Sequence, residues 1–471
     1  MGKHGVLLAV SSLPGKYGVG DFSDEAFKFV DMLANHKVDL WQILPLNPIG
    51  YGHSPYQPFS SYAFDEIYIS IEDLQRRHLL GRVNKVRQRS MADYEKARYI
   101  KEQAIWKAFE VFKQNPKNMA KLEKFIKENP YVEEYAEFIT LKEFNCGYSW
   151  NEWRFFEKDR PEDFKYLKTK HAFAQMILAE EWNRIRKYAN KRNIQIIGDV
   201  PFYVGYDSSD VYFHRESFML DRENKPSCIA GVPPDYFSKE GQRWGNPIWN
   251  WDYLCEHDFK AMMDRLYFAS KFYDIVRIDH FRAFDSYWAI NPECPTAVDG
   301  EWRFPDGHRF FRRLFEKYPD INIIVEDLGD LRPEVLQLRD AFNLAGMREI
   351  EFTIFDDELL NKHIERENMV YYTSTHDNET LAQWIANLSK KEKADLLWRM
   401  GEMHIEGKNL CEKLIKYAYR RQERIVIASV SDILNLNKTH RMNIPGVVND
   451  VNWRFKLQGF RQLGKQLSKF F

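Results

Sequence analysis

Apolar positions along the chain fall into two rhythms that alternate from end to end. Short, largely β-branched runs of four to eight residues occupy 5–11, 38–45, 193–200, 273–280, 321–327, 347–354, 369–376 and 424–431. Each is bounded by charge or turn residues and is followed, sooner or later, by apolar residues at helical spacing. After the first run, Ser23 is placed to cap a helix in which Phe27, Val30 and Ala34 share a face, with Asp24 and Glu25 in its first turn. After the fifth, Arg332-Pro333-Glu334 opens another helix, proline being suited to an early helical position. This alternation predicts an α/β fold, a (β/α)8 TIM barrel with helical and loop insertions on the catalytic face. A doubly wound open sheet is the alternative, but no Gly-x-Gly-x-x-Gly or P-loop signature accompanies the strands.

The spacing of the runs is uneven. About 150 residues separate the second from the third, several times what one βα unit needs. Residues 1–471 are therefore expected to form a single catalytic barrel, with a mostly helical, Lys/Glu-rich subdomain inserted at 47–193 after the second strand. A second insertion, 201–272, is rich in Pro, Gly and aromatic residues.

Composition narrows the classes of partner. Basic and acidic residues nearly balance, 68 against 69, and are mixed rather than blocked, so neither nucleic acid nor an anionic membrane is an expected partner. The five cysteines (146, 228, 255, 294 and 411) are scattered and odd in number, with no Cys-x-x-Cys, which fits a reducing cytoplasm and neither a disulfide framework nor a zinc site. The opening apolar run is short and reads as a strand entering the turn Ser11-Ser-Leu-Pro-Gly15 rather than as a leader. No apolar stretch is long enough to span a bilayer. Oligomeric state is not encoded in any of these features.

Three of the runs end in acid: Val276-Arg-Ile-Asp-His280, Ile323-Ile-Val-Glu-Asp327 and Tyr371-Tyr-Thr-Ser-Thr-His-Asp377. Barrel enzymes take their catalytic groups from the carboxyl ends of several strands. Residues two apart on a strand share a face, so Arg277 and Asp279 should both point into the barrel mouth. A guanidinium there favours the ionised carboxylate a nucleophile must be; an isolated Arg-x-Asp would more often be a structural ion pair. Glu326 ends a wholly apolar run, and partial burial raises a carboxyl pKa, as a proton donor requires. Alternation fails at strand ends, so the pattern leaves open whether Glu326 or Asp327 faces inward. Two carboxylates about 5 Å apart suit double displacement at an anomeric carbon, and a third can hold sugar hydroxyls.

In order and spacing, further motifs make the pattern specific: Ser54-Pro-Tyr-Gln57, Gly198-Asp-Val-Pro201, Ala230-Gly-Val-Pro-Pro-Asp-Tyr-Phe237, Gly241-Gln-Arg-Trp-Gly-Asn-Pro247, Arg277-Ile-Asp-His-Phe-Arg282, Glu326-Asp-Leu-Gly329, Thr375-His-Asp-Asn378 and Arg441-Met-Asn443. With these the chain resembles the amylomaltases, the 4-α-glucanotransferase family related to the α-amylases, nearly end to end. The resemblance implies Asp279 as nucleophile, Glu326 as acid/base and Asp377 as transition-state stabiliser. It implies that Arg277, His280, His376 and Asp199 hold the transferred sugar, with Tyr56 stacking on its ring. It also implies that 230–249, with Pro233, Pro234, Tyr236, Phe237, Gln242, Trp244 and Trp249, is a flap over the acceptor side. Gln242 and Trp244 are then acceptor-site candidates, with Tyr51, Ser54 and Asn443 beside them. Ala283 and Val451 stand where the family usually has glycine, and the second departure bears on contacts made by Asn443 and Asn452.

The implied activity is disproportionation of α-1,4-glucans: segments pass from a donor maltooligosaccharide to a glucan or glucose acceptor. No cofactor and no metal is called for, since the covalent intermediate retains the free energy of the broken bond and the 13 histidines show no His-Glu-x-x-His. Two alternatives use the same features: an α-glucan hydrolase with water as acceptor, and a non-catalytic glucan-binding protein.

Overall fold

The computed structural model describes residues 2–471 except 88, 235–238, 357–367 and 422. Among the described residues, twelve strands divide between two sheets. Eight form the barrel: β1 (Lys3–Leu7), β2 (Leu40–Gln42), β3 (Gln195–Val200), β6 (Ile275–Ile278), β9 (Ile323–Val325), β10 (Gly346–Glu349), β11 (Met369–Tyr372) and β12 (Ile425–Ser429). The other four, β4 (Ile229–Val232), β5 (Gln242–Pro247), β7 (Tyr287–Ile290) and β8 (Gly300–Arg303), make a separate antiparallel sheet in the order β5-β4-β7-β8. Every barrel pairing is parallel, in the order β10-β11-β12-β1-β2-β3-β6-β9. A parallel bridge between Ile324 and Ala345 joins the two ends. The expected (β/α)8 barrel is the fold.

Side-chain alternation explains both the packing and the site. Leu7, Leu40, Ile197, Ile275, Ile324, Met347, Val370 and Ile425 fill the barrel interior. Their sequence neighbours, such as Trp41, Ile196, Val276, Ile323 and Val426, belong instead to the larger core beneath the helices. One step of two residues further along, the inward position turns polar: Gln42, Asp199, Arg277 and Glu349, all buried, with Glu326 just past the end of β9. A barrel packed with hydrocarbon at one layer thus carries a layer of charge at the next, toward the carboxyl ends.

Several runs stop short of their sequence bounds because the strand ends turn into short helices. Run 347–354 becomes β10 only to Glu349, after which Ile350–Thr353 are helical. Run 424–431 ends at Ser429, whose hydroxyl accepts the Asp432 amide and starts the turn Val430–Ile433. The helix Asp24–Asn35 follows Ser23 as expected, but the Ser23 side chain makes no capping bond. Its buried face is Ala26, Phe29, Val30 and Leu33, so Phe27 sits at the rim, edge-on to Tyr188.

Between β2 and β3 the described residues include the helices Ile71–Arg76, Tyr94–Phe112, Pro116–Glu128, Pro130–Phe144 and Pro161–Asn190, the last leading directly into β3. Lys101 and Asp21, both fully buried, pair where the Tyr94–Phe112 helix meets the barrel. After β3, Lys260–Phe272 packs against β3 and β6 as an ordinary barrel helix. The antiparallel sheet begins before that helix and is completed after β6 by β7 and β8, beyond residue 272. Gly198 is required by close approach: a Cβ there would lie 2.1 Å from the Tyr273 ring. No described helix is long and apolar enough to cross a membrane.

Candidate active site

At the floor of the cleft, one guanidinium organises three carboxylates. Arg277 Nη1 donates to Asp199 at 2.7 and 2.8 Å and to Asp279 Oδ1 at 2.9 Å, while Nη2 lies 3.6 Å from Glu326 Oε2. The register Asp199↔Arg277 between β3 and β6 makes the first contact, and the period of two makes the second. Tyr56 donates its hydroxyl to Asp199 Oδ2 at 2.7 Å. Burial raises the Asp199 carboxyl above its usual range, and Arg277 pulls against that rise. Asp279 is the more open of the two, with a quarter of its side chain exposed to the cleft.

Glu326, rather than Asp327, faces inward. The main chain bends after β9, and His280 N donates to Glu326 Oε2 at 2.6 Å. Asp327 points the other way and accepts from Met347 N at 2.6 Å and Arg339 Nη1 at 2.7 Å. Burial, reinforced by the Asp279 charge, holds the Glu326 carboxyl well above the ordinary range despite Arg277. A carboxyl shifted in that direction keeps its proton to higher pH and has one to give. His280 adopts a left-handed backbone (φ 51°), which aims its amide at Glu326. Burial, with Arg282 adding to it, pushes its imidazole down to about 3, so the ring is a neutral hydrogen-bonding group.

The third carboxylate rides on the turn after β11. Asp377 Oδ1 accepts from Asn443 Nδ2 at 2.7 Å, and Arg441 Nη2 donates to the Asp377 carbonyl at 2.6 Å. His376 lies flat on Tyr56, with ring centroids 5.0 Å apart and planes 7° apart, and Trp453 tilts against both. One Tyr56 face is therefore already covered by His376. Asn452 stays in place without a preceding glycine. Positive φ falls at Gly446 and Trp453, not at Val451, and Asn452 Nδ2 donates to Asn443 Oδ1 at 2.8 Å.

Above this floor opens a cleft of about 520 Å³, within the ~300–1,000 Å³ of a typical small-ligand pocket. Tyr51, Ser54, Tyr56, Gln242, Trp244, Asp279, His280, His376, Asp377 and Asn443 all line it. Asp199, Arg277 and Glu326 sit beneath, so the three acids and the sugar- and acceptor-binding candidates converge on one place. Tyr51 is at the rim, where its hydroxyl donates to Asp207 Oδ2 at 3.0 Å. Tyr236 and Phe237 lie outside the described residues.

Pattern reading passed over Gln57 and Trp453. Gln57 Nε2 donates to the Trp244 carbonyl at 2.9 Å and ties β5 to the barrel loop. Trp244 in turn sets its ring edge-on to His280, with centroids 4.8 Å apart. Gln57 was visible as the last residue of Ser-Pro-Tyr-Gln, but nothing local to it points to a strand almost two hundred residues away. Among the described residues, no group of three or more His, Cys, Asp or Glu side chains is arranged to hold a metal ion.

Residues 8–462 match the profile of the family described as 4-alpha-glucanotransferase. The chain is similar to the 4-alpha-glucanotransferase of Aquifex aeolicus, 37% identical over 96% of this chain and 95% of the relative. It is similar to that of Thermus thermophilus at 36%, over 96% and 94%. Among solved structures it is similar to the amylomaltase from Streptococcus agalactiae in complex with acarbose. That match has a TM-score of 0.94 at 32% identity, covering 100% of this chain and 98% of the other.

Proposed function

The chain belongs to the 4-alpha-glucanotransferase family and performs glucan transfer; we propose that it does so by a retaining double displacement centred on Asp279 and Glu326. Asp279 attacks the anomeric carbon of a donor maltooligosaccharide. The bond to the leaving 4-oxygen breaks as Glu326 delivers its proton there. The first fragment leaves, and the remaining glycosyl unit stays as an ester on Asp279. The acceptor's 4-hydroxyl then gives its proton to Glu326 and attacks the same carbon from the vacated side, freeing Asp279 with net retention.

The observation that carries this reading is the opposed setting of two acids on one guanidinium. Asp279 is bonded directly to Arg277, while Glu326, its carboxyl held well above the ordinary range by desolvation and the Asp279 charge, contacts the same cation only at 3.6 Å. A raised carboxyl beside one that is bonded directly to a guanidinium suits the roles of acid and nucleophile. Asp377 engages sugar hydroxyls and favours the flattened, oxocarbenium-like ring. Asp199, Arg277, His280, His376 and Tyr56 bind the retained sugar. Gln242, Trp244, Tyr51, Ser54 and Asn443 bind the acceptor, glucose or glucan, and shield the ester from water. We assign the protein to the cytoplasm on its five unpaired, scattered cysteines.

Incubation with maltotriose, with free glucose and total reducing ends followed over time, tests the proposal. The expected result is glucose plus a ladder of longer oligosaccharides at nearly constant reducing ends. Rising reducing ends with only shorter products would make water the acceptor and refute the shielding role.

A further inference from the structure

The polar layer of the barrel contains one acid that the mechanism leaves unused. Glu349 closes β10, is 2% exposed and does not line the cleft. Asn378 Nδ2 donates to Glu349 Oε2 at 2.8 Å and to Glu351 Oε1 at 2.6 Å, so both amide hydrogens are committed to a pair of acids. The other end of the same side chain accepts from the Thr375 amide at 2.8 Å and from the Thr375 hydroxyl. Asn378 therefore clips the turn that carries Asp377 onto two carboxyl groups from β10 and the short helix after it. We propose that Glu349 and Glu351 are positioning residues for Asp377, an acid pair that holds a proton and grips Asn378, and that ionisation of both releases the turn. The inference rests on the reading of Asp377 given above and adds to it a device outside the substrate cleft.

Physical chemistry requires the proton. Two carboxylates on one NH₂ group, one of them nearly shut off from water, repel each other, and one must stay neutral at moderate pH. Burial first, and the neighbouring Glu351 second, push Glu349 up to about 8; Glu351 is raised by burial, with Glu379 adding to it. The charged groups facing Glu349 are Glu351, Asp377 and Arg277. Arg277 is already engaged by Asp199 and Asp279, so it is poorly placed to neutralise a third carboxylate. Glu351 faces Glu379, Arg441 and Asp432. Of these, Arg441 is committed to the Asp377 and Asn443 carbonyls. Loss of the Glu349 proton to solvent above about pH 8 leaves two anions against Asn378 and a third, Asp377, on the turn it clips.

The test is the pH profile of maltotriose disproportionation by wild type, Glu349→Gln and Glu349→Leu, with thermal melts confirming that each is folded. Glu349→Gln copies the protonated acid. It should keep kcat at pH 6.5 within about twofold and move the alkaline midpoint upward by about half a pH unit or more. Glu349→Leu removes the acceptor and should lower kcat about tenfold with KM nearly constant. A purely electrostatic effect on Glu326 would do the reverse to the midpoint, because removing a nearby negative charge lowers that group's pKa. A Glu349→Gln profile that overlies the wild type or moves downward overturns the inference, as does a Glu349→Leu variant with wild-type kcat. Wild-type protein inactive at every pH would instead remove the transferase reading and this inference with it.

Discussion

Asp279 differs from Asp199, its partner on the same guanidinium nitrogen, in being both bound and open. Its Oδ1 accepts one hydrogen bond from Arg277, and part of the side chain still faces the cleft. Asp199, held by the same nitrogen, has no such opening and also accepts the Tyr56 hydroxyl. The difference gives a residue-level prediction. Asp279→Asn keeps the size and the ability to accept from Arg277 but cannot form the glycosyl ester. Its kcat should fall by roughly 10³-fold or more while maltooligosaccharide affinity, measured by calorimetry, stays within a few-fold. Retained turnover would move the nucleophile elsewhere; lost binding with lost turnover would mean that the side chain chiefly builds the sugar site. The sequence carried Asp279 and Arg277 clearly because a period of two is fixed by backbone geometry. It left Glu326 and Asp327 undivided because β9 stops at Val325, and past that point only the bend of the main chain decides which acid turns in.

At the scale of elements, β5 lines one side of the cleft and is tied to the barrel loops through three contacts. Gln57 Nε2 holds the Trp244 carbonyl, Asn246 Nδ2 donates to the Val204 carbonyl at 2.9 Å, and Trp244 abuts His280. A Cβ built on Gly446, in the loop opposite, would lie 3.9 Å from Gln242 Cγ. If this wall excludes water, Gln57→Ala should loosen it without touching the acids. The expected outcome is a several-fold rise in hydrolysis relative to transfer, read from reducing ends against free glucose, with consumption of maltotriose little changed. An unchanged ratio would put water exclusion in the bound acceptor rather than in this wall. The sequence marked 230–249 by its aromatic, proline and glycine content, yet it gave no sign that β7 and β8 complete the same sheet. Those strands pair across intervening helices, and non-local pairing leaves no periodic trace in so short a run. The stacking of His376 on Tyr56 was equally hidden, since it depends on how two loops meet.

For the molecule as a whole, the question is how the helices between β2 and β3 are held to one another and to the barrel. Asp207, beyond β3, accepts from Lys142 and from the Trp150 amide of the insertion, and also from the rim residue Tyr51. Within the insertion itself, His171 on the helix Pro161–Asn190 bridges Glu66 at 2.7 Å and Glu143 at 2.9 Å, joining the long helix, the Pro130–Phe144 helix and the turn at 66–68. Burial alone would pull the His171 pKa down, but Glu66 and Glu143 outweigh it and raise it from 6.5 to about 9. Glu143 is raised by burial and lowered more strongly by His171, ending at about 2. A histidine raised on folding contributes its full stability below pH ~6.5 and loses it as pH climbs through ~9. The glutamate contributes above pH ~4.5 and loses its share as pH falls through ~2. Both shifts describe one set of contacts, so they count once, on the order of 3 kcal/mol from the histidine. The clasp is therefore complete between about pH 4.5 and 6.5 and is lost on the alkaline side first. His171→Gln should melt several degrees below wild type at pH 6, and the gap should narrow by pH 9.5 as the wild-type ring loses its proton. A gap of equal size at both pH values would mean that the ring acts by packing alone. Because Lys142, next to Glu143, shares Asp207 with the rim residue Tyr51, the same alkaline loosening should reach the rim of the cleft, so that acceptor KM rises over the range in which the melting gap closes.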